Sequence, residues 1–494
     1  MQLDLLLKDS QPRYLQGGGQ LDVAALAYDS RRVAPGTAFF CIENNKRDGH
    51  DFVADALSRG ATTLVVGRPV TVPDSVTVAQ VSNPAQALAV AASHFYHDPS
   101  HQMRMVGVTG TNGKTTTTFL IEALLEQAGL RPGLLGTVAV KIGGQVETPH
   151  NTTPLSLDLQ ETLGRMRQAG HLSVAMEVSS HGLTLDRVYG IPYDVGVFTN
   201  LTQDHLDFHG SMEAYFLAKR LLFERLGQDN PKSFPRAAVI NADDPYAPRL
   251  LEVCKVPTWT YGLTNAADVR AEKVDTRFSG TSYTVVTQQG SFPIQMRLAG
   301  MFNVYNSLAA IATALSQGLS VDLIQETMRQ IPPVRGRFEL VDERQDFSVV
   351  VDYAHTPDGL ENILRAAKPM TAGSLVAVFG CGGDRDRTKR PIMGGIAARW
   401  ANRVIITSDN PRTEDPNAIV ADIEKGCQES GTIYEIIVDR QTAIEKALGS
   451  ARAGDTIVIA GKGHETYQIF KDRTIHFDDV EVARQYLSKS GAAL

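Results

Sequence analysis

Short apolar runs alternate with amphipathic stretches along most of the chain. In the first hundred residues, the runs at 37–42, 61–66 and 76–81 predict strands, and the stretch 84–96 predicts a helix. This alternation is typical of a small α/β unit. The segment 97–101 combines a proline with small polar residues and predicts a linker, because such residues interrupt regular structure.

A second α/β pattern follows the linker. Residues 104–108 predict a buried strand that leads, through a loop of glycines and threonines, into a helix over 114–128. The alternating residues 281–298 predict an antiparallel strand pair beside this unit. Strands that alternate with helices indicate a mostly parallel, doubly wound sheet. Its further strands, each followed by polar residues, are predicted at 173–176, 195–198 and 237–240.

A helix-breaking segment, Ile331-Pro332-Pro333, precedes a third α/β pattern. Its strands are separated by helical patterns, which predicts a sheet of the dinucleotide-binding type with ligands at the strand ends. Since 494 residues exceed what one hydrophobic core usually organises, we predict three domains, over 1–98, 99–331 and 332–494. The strands predicted in the third domain are 347–351, 374–379, 403–406, 433–438 and 456–460.

The composition is that of an ordinary globular protein, with 43% hydrophobic and 21% charged residues. A net charge of -7 argues against a surface that coats nucleic acid, although local cationic loops can still bind anions. The four cysteines are far apart without CxxC spacing, which argues against a disulfide framework or metal cluster. The N-terminal leucine run lacks a basic segment and a long apolar core, so we expect a cytoplasmic protein without a membrane-spanning segment.

The sharpest chemical signal is the glycine-rich loop between a predicted strand and a predicted helix. Its glycines let backbone amides converge on phosphate oxygens, and the helix N-terminus adds positive charge. A lysine there pairs with the terminal phosphates of a nucleotide, and the next threonine places a hydroxyl on Mg²⁺. The loop departs from the GxxxxGK[ST] spacing, because Val108 stands at the first glycine position. The predicted phosphate-binding residues are Gly110, Thr111, Asn112, Gly113, Lys114, Thr115 and Thr116.

Two residues at the ends of predicted strands are candidate metal ligands. Glu177 follows the strand at 173–176, where a carboxylate can hold Mg²⁺ against phosphate oxygens. His205 lies in a polar segment after the strand at 195–198. By themselves these residues leave open a helix-capping role for Glu177 and a structural role for His205.

The loop sequence GTNGKTT and the motifs after it resemble the Mur ligase family, in the family's order from Ser30 to Glu465. The resemblance implies a small N-terminal α/β domain, a central ATPase domain with a phosphate-binding loop and a parallel sheet, and a C-terminal Rossmann-like domain. It implies an ATP-dependent, amide-bond-forming ligase that uses Mg²⁺. The metal site implied by the resemblance contains Thr115, Glu177, His205 and Lys219, with Lys219 carbamylated so that it offers oxygen ligands.

The resemblance also implies roles for residues on the nucleotide side and on the UDP-substrate side. Lys114, Glu177, His205 and Lys219 form the implied catalytic set. Leu185 stands where some relatives carry a polar contact residue, so this contact is not expected here. The remaining nucleotide residues are Asn303 near the base, Arg337 near the phosphates, Asp352 near the ribose, and His355. The implied UDP-muramoyl contacts are Ser30, Asn151, Thr152, Thr153, Ser179 and Arg187.

The sequence Asp409-Asn410-Pro411-Arg412 matches the DNPR signature of family members that add meso-diaminopimelate. Diaminopimelate has a second carboxylate that an arginine can bind with two hydrogen bonds, whereas lysine has none. As an isolated tetrapeptide, DNPR would instead predict a turn with a solvated arginine. The match implies that Arg385 and Gly461 also belong to the amino-acid site, with Glu465 binding the distal ammonium.

The resemblance and these motifs together predict a ligase of cell-wall synthesis that adds meso-diaminopimelate to UDP-MurNAc-L-Ala-D-Glu through an acyl phosphate formed from ATP. We expect the protein to be a monomer, with neither nucleic acid nor a membrane as a partner. Alternatives within the family are the L-lysine-adding ligase, the next ligase of the pathway and folylpolyglutamate synthetase. A protein of another class, a nucleotide-gated binding or switch protein, would bind ATP but would not release phosphate in response to the UDP-linked substrate.

Overall fold

The computed structural model describes residues 1–44, 47–149, 151–228, 230–428 and 430–491. Within these residues the larger strands form three separate sheets of five, eleven and six strands. Two pairs of short antiparallel strands accompany them. Each large sheet is covered by helices, so every unit has its own apolar core.

The first unit is a five-stranded sheet with the order β1-β7-β6-β3-β2, in which only β1 is antiparallel to its neighbour. Buried strands such as the run ATTLVV form its centre. Its strands are β1 Arg13–Gln16, β2 Ala25–Ala27, β3 Thr37–Phe40, β4 Glu43–Asn44, β5 Arg47–Asp48, β6 Ala61–Val66 and β7 Thr77–Gln80. Its helices are α1 Leu3–Leu7, α2 Val53–Ser58 and α3 Pro84–Phe95, with 3₁₀ turns at Ser30–Arg32, Gly49–Phe52 and Pro99–Gln102.

The central unit is an eleven-stranded sheet with seven parallel strands in its middle, in the order β9-β12-β8-β13-β14-β15-β16. Its strands are β8 Arg104–Thr109, β9 Pro132–Leu135, β10 Val140–Ile142, β11 Gln145–Glu147, β12 Ser173–Glu177, β13 Val195–Phe198, β14 Ala237–Asn241, β15 Thr258–Gly262, β16 Val269–Arg277, β17 Gly280–Thr287 and β18 Gly290–Met296. Its helices are α4 Lys114–Gln127, α5 Ser156–Gln168, α6 Ser180–Thr184, α7 Leu206–His209, α8 Met212–Leu226, α9 Ala247–Leu251, α10 Met301–Ser316 and α11 Val321–Gln330.

The two faces of the central sheet carry separate apolar clusters. Helices α4, α10 and α11 cover one face, and α5, α6 and α8 cover the other. The parallel strands β8, β12 and β13 are neighbours, so their carboxyl ends lie at one edge of the sheet. Ligands of open parallel sheets bind at that edge, and the residues that follow these strands are therefore placed together.

The third unit is a six-stranded sheet with the order β19-β20-β24-β21-β22-β23, parallel except for β19. Its strands are β19 Glu339–Leu340, β20 Ser348–Asp352, β21 Leu375–Phe379, β22 Arg403–Ile406, β23 Ile433–Ile436 and β24 Thr456–Ala460, followed by the hairpin β25 Tyr467–Ile469 and β26 Thr474–His476. Its helices are α12 Pro357–Ala367, α13 Lys389–Trp400, α14 Pro416–Gln428, α15 Arg440–Gly449 and α16 Asp479–Gly491, with a 3₁₀ turn at Lys368–Met370.

The predicted doubly wound α/β architecture is confirmed. The antiparallel pair expected over 281–298 is part of a larger addition, because β16, β17 and β18 form a three-stranded meander that continues the central sheet. Among the residues that the structure describes, no helix has the length and apolar character needed to cross a membrane.

Candidate functional site

The phosphate-type loop joins β8 to α4, and its shape depends on glycine. Gly113 has a φ of +84°, and a Cβ atom there would lie 2.3 Å from Asn306 Oδ1. The Lys114 ammonium folds back over the loop and donates to the carbonyls of Gly110 (2.9 Å) and Thr111 (2.8 Å). Burial lowers the pKa of Lys114. Among the described residues this partly buried ammonium has only carbonyl oxygens as hydrogen-bond partners, which it can exchange for an anionic ligand.

Lys219 lies on α8 directly beside this loop. Its side chain is buried, its Nζ donates to the Gly110 carbonyl at 2.7 Å, and the Nζ is 4.4 Å from the centre of the Tyr215 ring. Burial, and secondarily the charge of Lys114, lower the pKa of Lys219 well below its ordinary value. The amine therefore loses its proton readily, which is the state that reacts with carbon dioxide.

Glu177 ends β12 and is held from two sides by Thr137. The Thr137 amide donates to Oε1 at 2.7 Å, and the Thr137 hydroxyl is 3.0 Å from Oε2. The residue is only 1% exposed, yet each carboxylate oxygen keeps a further lone pair. Thr137 follows β9, 40 residues before Glu177, and no motif marks it in the sequence.

His205 caps α7 in a left-handed conformation, with a φ of 53°. Its imidazole is about half exposed, and Nε2 lies 3.4 Å from Asp204 Oδ2. The ring packs edge-on against His181, and its centre lies 6.2 Å from the centre of the Tyr215 ring, which Lys219 also contacts. Burial lowers the pKa of His205, which favours the neutral form that can ligate a metal.

The donor set at this edge fits a hard divalent cation. The Glu177 carboxylate and the Thr115 hydroxyl are oxygen donors at the mouth of the loop, and Mg²⁺ typically takes one or two protein oxygens together with phosphate oxygens. Lys219 as an amine adds no such ligand. Lys219 could add oxygen ligands to this donor set only after carbon dioxide converts its amine into a carbamate.

Residues of the third unit reach across to the loop. Arg337 donates from Nη2 to Thr115 Oγ1 at 3.1 Å, and the buried Arg337 Nε has no partner among the described residues. The turn that carries Arg337 is fastened by Asp352, whose carboxylate accepts from the amides of Phe338 and Ala354, both at 2.7 Å. An unpaired guanidinium N–H beside a phosphate loop suits an anionic ligand.

A second contact between the units involves Asp358, which the sequence did not indicate. Its Oδ2 accepts from the loop amide side chain of Asn112 and from Thr202 Oγ1 at 2.9 Å. His355, three residues earlier, is exposed, and its Nδ1 lies 2.8 Å from the Tyr353 carbonyl. The third unit is thus in direct contact with the loop at both Thr115 and Asn112.

Asn303, the predicted base-side residue, is buried on α10. Its Nδ2 donates to the Ala299 carbonyl at 2.8 Å, and its Oδ1 accepts from Asn306 at 3.0 Å. Asn306 in turn lies against the loop at Gly113. Asn303 therefore supports the floor of the loop, with one amide hydrogen left for other partners.

The predicted UDP-substrate residues of the central unit form one cluster beside Glu177. Thr153 donates its hydroxyl to the Glu177 carbonyl and accepts from the Ser179 amide, both at 3.0 Å. Arg187 Nη1 donates to the Thr153 carbonyl at 3.0 Å, while the buried Arg187 Nε has no partner in the described part of the chain. Burial lowers the pKa of Arg187, and no carboxylate among the described residues forms an ion pair with it.

The other predicted contacts lie at the edge of this cluster. Thr152 Oγ1 is 3.0 Å from Thr137 Oγ1, and Asn151 is exposed. Ser30 is buried in the 3₁₀ turn of the first unit, and Tyr28 just before it donates to Asp158 of α5 at 2.6 Å. Leu185 caps α6 and offers no side-chain polar atom, as the sequence indicated.

The predicted amino-acid site lies at the carboxyl ends of β21, β22 and β24. Arg412 has a left-handed φ of 53° and donates from Nη1 to the Gly383 carbonyl at 2.7 Å. Arg385 is exposed. A Cβ atom built on Gly382 would lie 2.9 Å from Arg412 Nη1 and 3.8 Å from Arg385 Cγ, which places both arginines around this glycine.

A buried polar network supports the opposite side of the same site. Asn410 donates to Glu465 Oε2 at 2.8 Å, and the fully buried Lys462 donates to the same oxygen at 3.0 Å and to Asn410 Oδ1 at 3.2 Å. Glu465 Oε1 has no hydrogen-bond partner in the part of the chain that the structure describes, so it can accept from a cation. Asp409 is buried against Gly461, and Pro411 is also buried. Lys462 was not predicted from the sequence.

Family models match most of the chain. The Mur ligase family catalytic domain matches residues 22–96, the Mur ligase middle domain matches 108–314, and the Mur ligase glutamate ligase domain matches 336–463.

Individual relatives cover nearly the whole chain. The UDP-N-acetylmuramoyl-L-alanyl-D-glutamate--2,6-diaminopimelate ligase of Geobacillus thermodenitrificans (strain NG80-2) is 48% identical over 98% of this chain and 99% of its own length. The ligase of the same name from Syntrophomonas wolfei is 44% identical, covering 99% of each chain.

Solved structures show the same architecture. A structure of a UDP-N-acetylmuramoyl-L-alanyl-D-glutamate--2,6-diaminopimelate ligase is 34% identical, with a TM-score of 0.71 over 99% of both chains. The MurF ligase of Thermotoga maritima in complex with ADP is similar in fold, with a TM-score of 0.63 at 18% identity, over 95% of this chain and 98% of that one.

Proposed function

The chain belongs to the Mur ligase family, and we propose that it is the ATP-dependent ligase that joins meso-diaminopimelate to UDP-MurNAc-L-Ala-D-Glu in peptidoglycan synthesis. The observation that carries the choice of amino acid is the pair Arg385 and Arg412 around Gly382, opposite the free oxygen of Glu465. Relatives at 44% and 48% identity bear the name of the diaminopimelate enzyme, so the lysine-adding alternative is not favoured.

The proposed reaction has two steps. The terminal carboxylate of the UDP-linked dipeptide attacks the γ-phosphorus of ATP, forming an acyl phosphate and releasing ADP. The amine of diaminopimelate then attacks the acyl carbon, forms the amide, loses a proton and expels phosphate. Neither step requires an enzyme nucleophile, so the chain acts by positioning and by charge stabilisation.

The phosphate loop and Arg337 hold the nucleotide. Lys114 gives up its loop carbonyls to bind the terminal phosphates, and the unpaired Nε of Arg337 adds a second cation from the third unit. Asp352 holds the Arg337 turn and lies at the ribose side, near His355. A Mg²⁺ ion held by Glu177, Thr115, His205 and carbamylated Lys219 would supply neutralisation of phosphate charge.

The UDP-muramoyl substrate lies across the first and central units. Arg187 binds its diphosphate, since this guanidinium is buried with an unsatisfied Nε. Ser30 takes the uridine end, and Ser179 with the loop Asn151, Thr152 and Thr153 takes sugar and phosphate oxygens. The contacts of Thr153 with Glu177 and Arg187 support a position of the substrate next to the metal side of the nucleotide.

Closure of the third unit on the loop completes the site. The contacts of Arg337 with Thr115, and of Asp358 with Asn112, join the two units where the γ-phosphate lies. All of these residues belong to one chain, so we propose that the protein works as a monomer. We also propose that it acts in the cytoplasm. Its proposed domains are residues 1–98, 99–331 and 332–494.

The function is tested by phosphate release from ATP and Mg²⁺ in the presence of UDP-MurNAc-L-Ala-D-Glu and one amino acid. We expect release with meso-diaminopimelate, formation of one tripeptide per phosphate, and much slower release with L-lysine. Faster turnover with L-lysine would contradict the choice of amino acid alone. Release that does not depend on the UDP-linked substrate would instead support a nucleotide-gated switch protein.

Replacing Arg412 by lysine should raise the KM for meso-diaminopimelate by about a hundredfold, because a lysine cannot form the two parallel hydrogen bonds to a carboxylate. The KM values for ATP and for the UDP-linked dipeptide should stay close to those of the wild type. Steady-state kinetics with each substrate varied in turn measures all three. Equal increases in the three values would place Arg412 outside the amino-acid site.

A further inference from the structure

Arg390 is a buried cation that the reaction does not use. It lies in the first turn of α13 with no exposed surface, and its guanidinium bridges two carboxylates. Nη2 donates to Glu414 Oε1 at 2.8 Å, and Nη1 donates at 3.1 Å both to Glu414 Oε2 and to Asp422 Oδ2. Asp422 is on α14, whereas Glu414 belongs to the loop two residues after Arg412.

Glu414 also fastens the second arginine-bearing loop. Its Oε1, which accepts from Arg390, accepts from the Asp384 amide at 2.6 Å as well. Asp384 directly precedes Arg385 and has a left-handed φ of 54°. The Asp384 carboxylate accepts from the Thr413 hydroxyl at 2.6 Å and from the Thr413 amide at 3.2 Å. The loops that carry Arg385 and Arg412 are therefore tied together at neighbouring residues.

Two further hydrogen bonds join these loops at Gly383. The Gly383 amide donates to the Asn410 carbonyl at 2.9 Å, and Arg412 donates its Nη1 to the Gly383 carbonyl. The arginine-to-carboxylate network lies on the far side of these contacts, toward α13 and α14. Its loss would let the two loops shift relative to each other.

We propose that Arg390 and Glu414 are positioning residues that set the separation of Arg385 and Arg412, and thereby select a substrate with two carboxylates. This inference rests on the proposed function. A diacid with fixed spacing between its carboxylates must meet two arginines at a matching spacing, whereas a monoacid needs only one of them. The Arg390–Glu414 pair thus controls discrimination against L-lysine without touching either amino acid.

The two carboxylates on Arg390 provide a matched pair of variants. Glu414 and Asp422 are nearly equally exposed, at 20% and 21%, and each accepts from Arg390 and from one further hydrogen-bond donor. Each also forms a longer ion pair with the exposed Arg387, at 3.7 and 3.5 Å. An amide in place of either carboxylate presents one NH₂ group to a donor, so both Glu414→Gln and Asp422→Asn weaken a comparable network. Glu414 lies in the Arg412 loop and accepts from the Asp384 amide, whereas Asp422 reaches the Arg385 loop only through the exposed Arg387, 3.5 Å away, and an exposed ion pair contributes little.

The test measures KM for all three substrates and the thermal midpoint of both variants. For Glu414→Gln we expect the KM for meso-diaminopimelate to rise roughly tenfold or more, with the other two KM values within about twofold of the wild type. The ratio of kcat/KM for meso-diaminopimelate over L-lysine should fall. For Asp422→Asn we expect a similar drop in the thermal midpoint and unchanged KM values. Equal effects of the two variants on KM would overturn the proposal.

Thr413→Val is a second variant on the exposed surface of the same connection. It removes the hydroxyl that donates to Asp384 while leaving the Arg390 network intact, and it should raise the KM for meso-diaminopimelate in the same selective way. No change with Thr413→Val and Glu414→Gln, in an enzyme that Arg412→Lys impairs, would refute the positioning role alone. If Arg412→Lys also leaves the KM for meso-diaminopimelate unchanged, the proposed amino-acid site itself fails.

Discussion

Replacing Lys219 by methionine should lower kcat about a thousandfold, the scale of losing a charge-stabilising group at a phosphoryl-transfer centre. Methionine fills a similar volume and keeps α8 packed, but it cannot react with carbon dioxide to give an oxygen ligand. The KM for meso-diaminopimelate should change little, because Lys219 contacts the phosphate loop and not the third unit. The steady-state rate of phosphate release at saturating substrates gives kcat. A kcat within tenfold of the wild-type value would contradict the role assigned to Lys219.

A second buried lysine of the same unit shows why Lys219 is suited to carbamylation. Burial lowers the pKa of Lys232, but its ion pair with the buried Asp194, 2.6 Å away, counteracts this effect. Among the described residues no carboxylate forms an ion pair with Lys219, whose Nζ has only the Gly110 carbonyl and the Tyr215 ring. Burial therefore lowers the pKa of Lys219 well below its ordinary value without an ion pair that counteracts it, and carbon dioxide adds to the neutral form of an amine with release of a proton.

The modification can be observed directly. With ¹³C-labelled bicarbonate, the wild-type protein should show a carbamate carbon signal in NMR that is missing from Lys219→Met. Because acid reverses the addition, activity should fall as the pH is lowered and should recover when bicarbonate is added. A fully active protein that shows no carbamate signal would mean that Lys219 acts as an amine.

The sequence predicted the parts of the fold that depend on local patterns. The apolar runs at 61–66, 195–198, 403–406 and 456–460 coincide with observed strands, because strands buried on both faces are continuous apolar segments. β16 was not predicted. Only its first residues are buried, and its second half carries charged side chains on an exposed meander.

The candidate site was predictable only where a motif carries the chemistry. The loop residues 110–116, Glu177 and Arg412 were found because glycine, carboxylate and arginine follow strands at recognisable positions. Thr137 and Lys462 were missed because they act on predicted residues through space. Thr137 is 40 positions from the Glu177 carboxylate that it holds, and nothing in a single sequence reports such a pairing.

The network behind the arginine loops shows the same limit. In the sequence, Arg390 is an ordinary charged residue near the start of a helix, and its side chain would be expected to be exposed to solvent. Its burial becomes apparent only when α13 packs on α14 and two loops close around it. Residues that hold a ligand site in place are therefore found from the folded structure, after the sequence has indicated where the ligand binds.

Replacing Arg440 by methionine should destabilise the third unit by about 3–5 kcal/mol, because Asp479 would keep a buried charge without a partner. Both side chains are fully buried, and the guanidinium donates to Asp479 from Nε at 2.8 Å and from Nη2 at 2.7 Å. It also donates to the carbonyls of Ser408 (3.3 Å) and Ala460 (3.1 Å), at the ends of two strands. The pair thus anchors the start of α16 and the strand ends before 409–412 and 461–465.

The two tryptophans allow this effect to be measured in the third unit alone. Trp400 lies on α13 and Trp259 in the central unit, so a Trp259→Phe background leaves a reporter only in the third unit. In this background, urea unfolding followed by fluorescence should show the full loss for Arg440→Met. Arg484→Met is the matched control, since Arg484 on α16 forms only a solvent-exposed ion pair with Glu343, which should contribute no more than about 1 kcal/mol.

The double variant Arg440→Met with Asp479→Asn separates charge from packing. If the uncompensated carboxylate causes the loss, removing its charge should restore a large part of the stability, leaving mainly the cost of the two strand-end carbonyls that lose their donor. A double variant no more stable than Arg440→Met would show that the guanidinium acts through those carbonyls and its packing. In that case the positions of the segments 409–412 and 461–465 depend on Arg440 itself, and the KM for meso-diaminopimelate should rise in both variants.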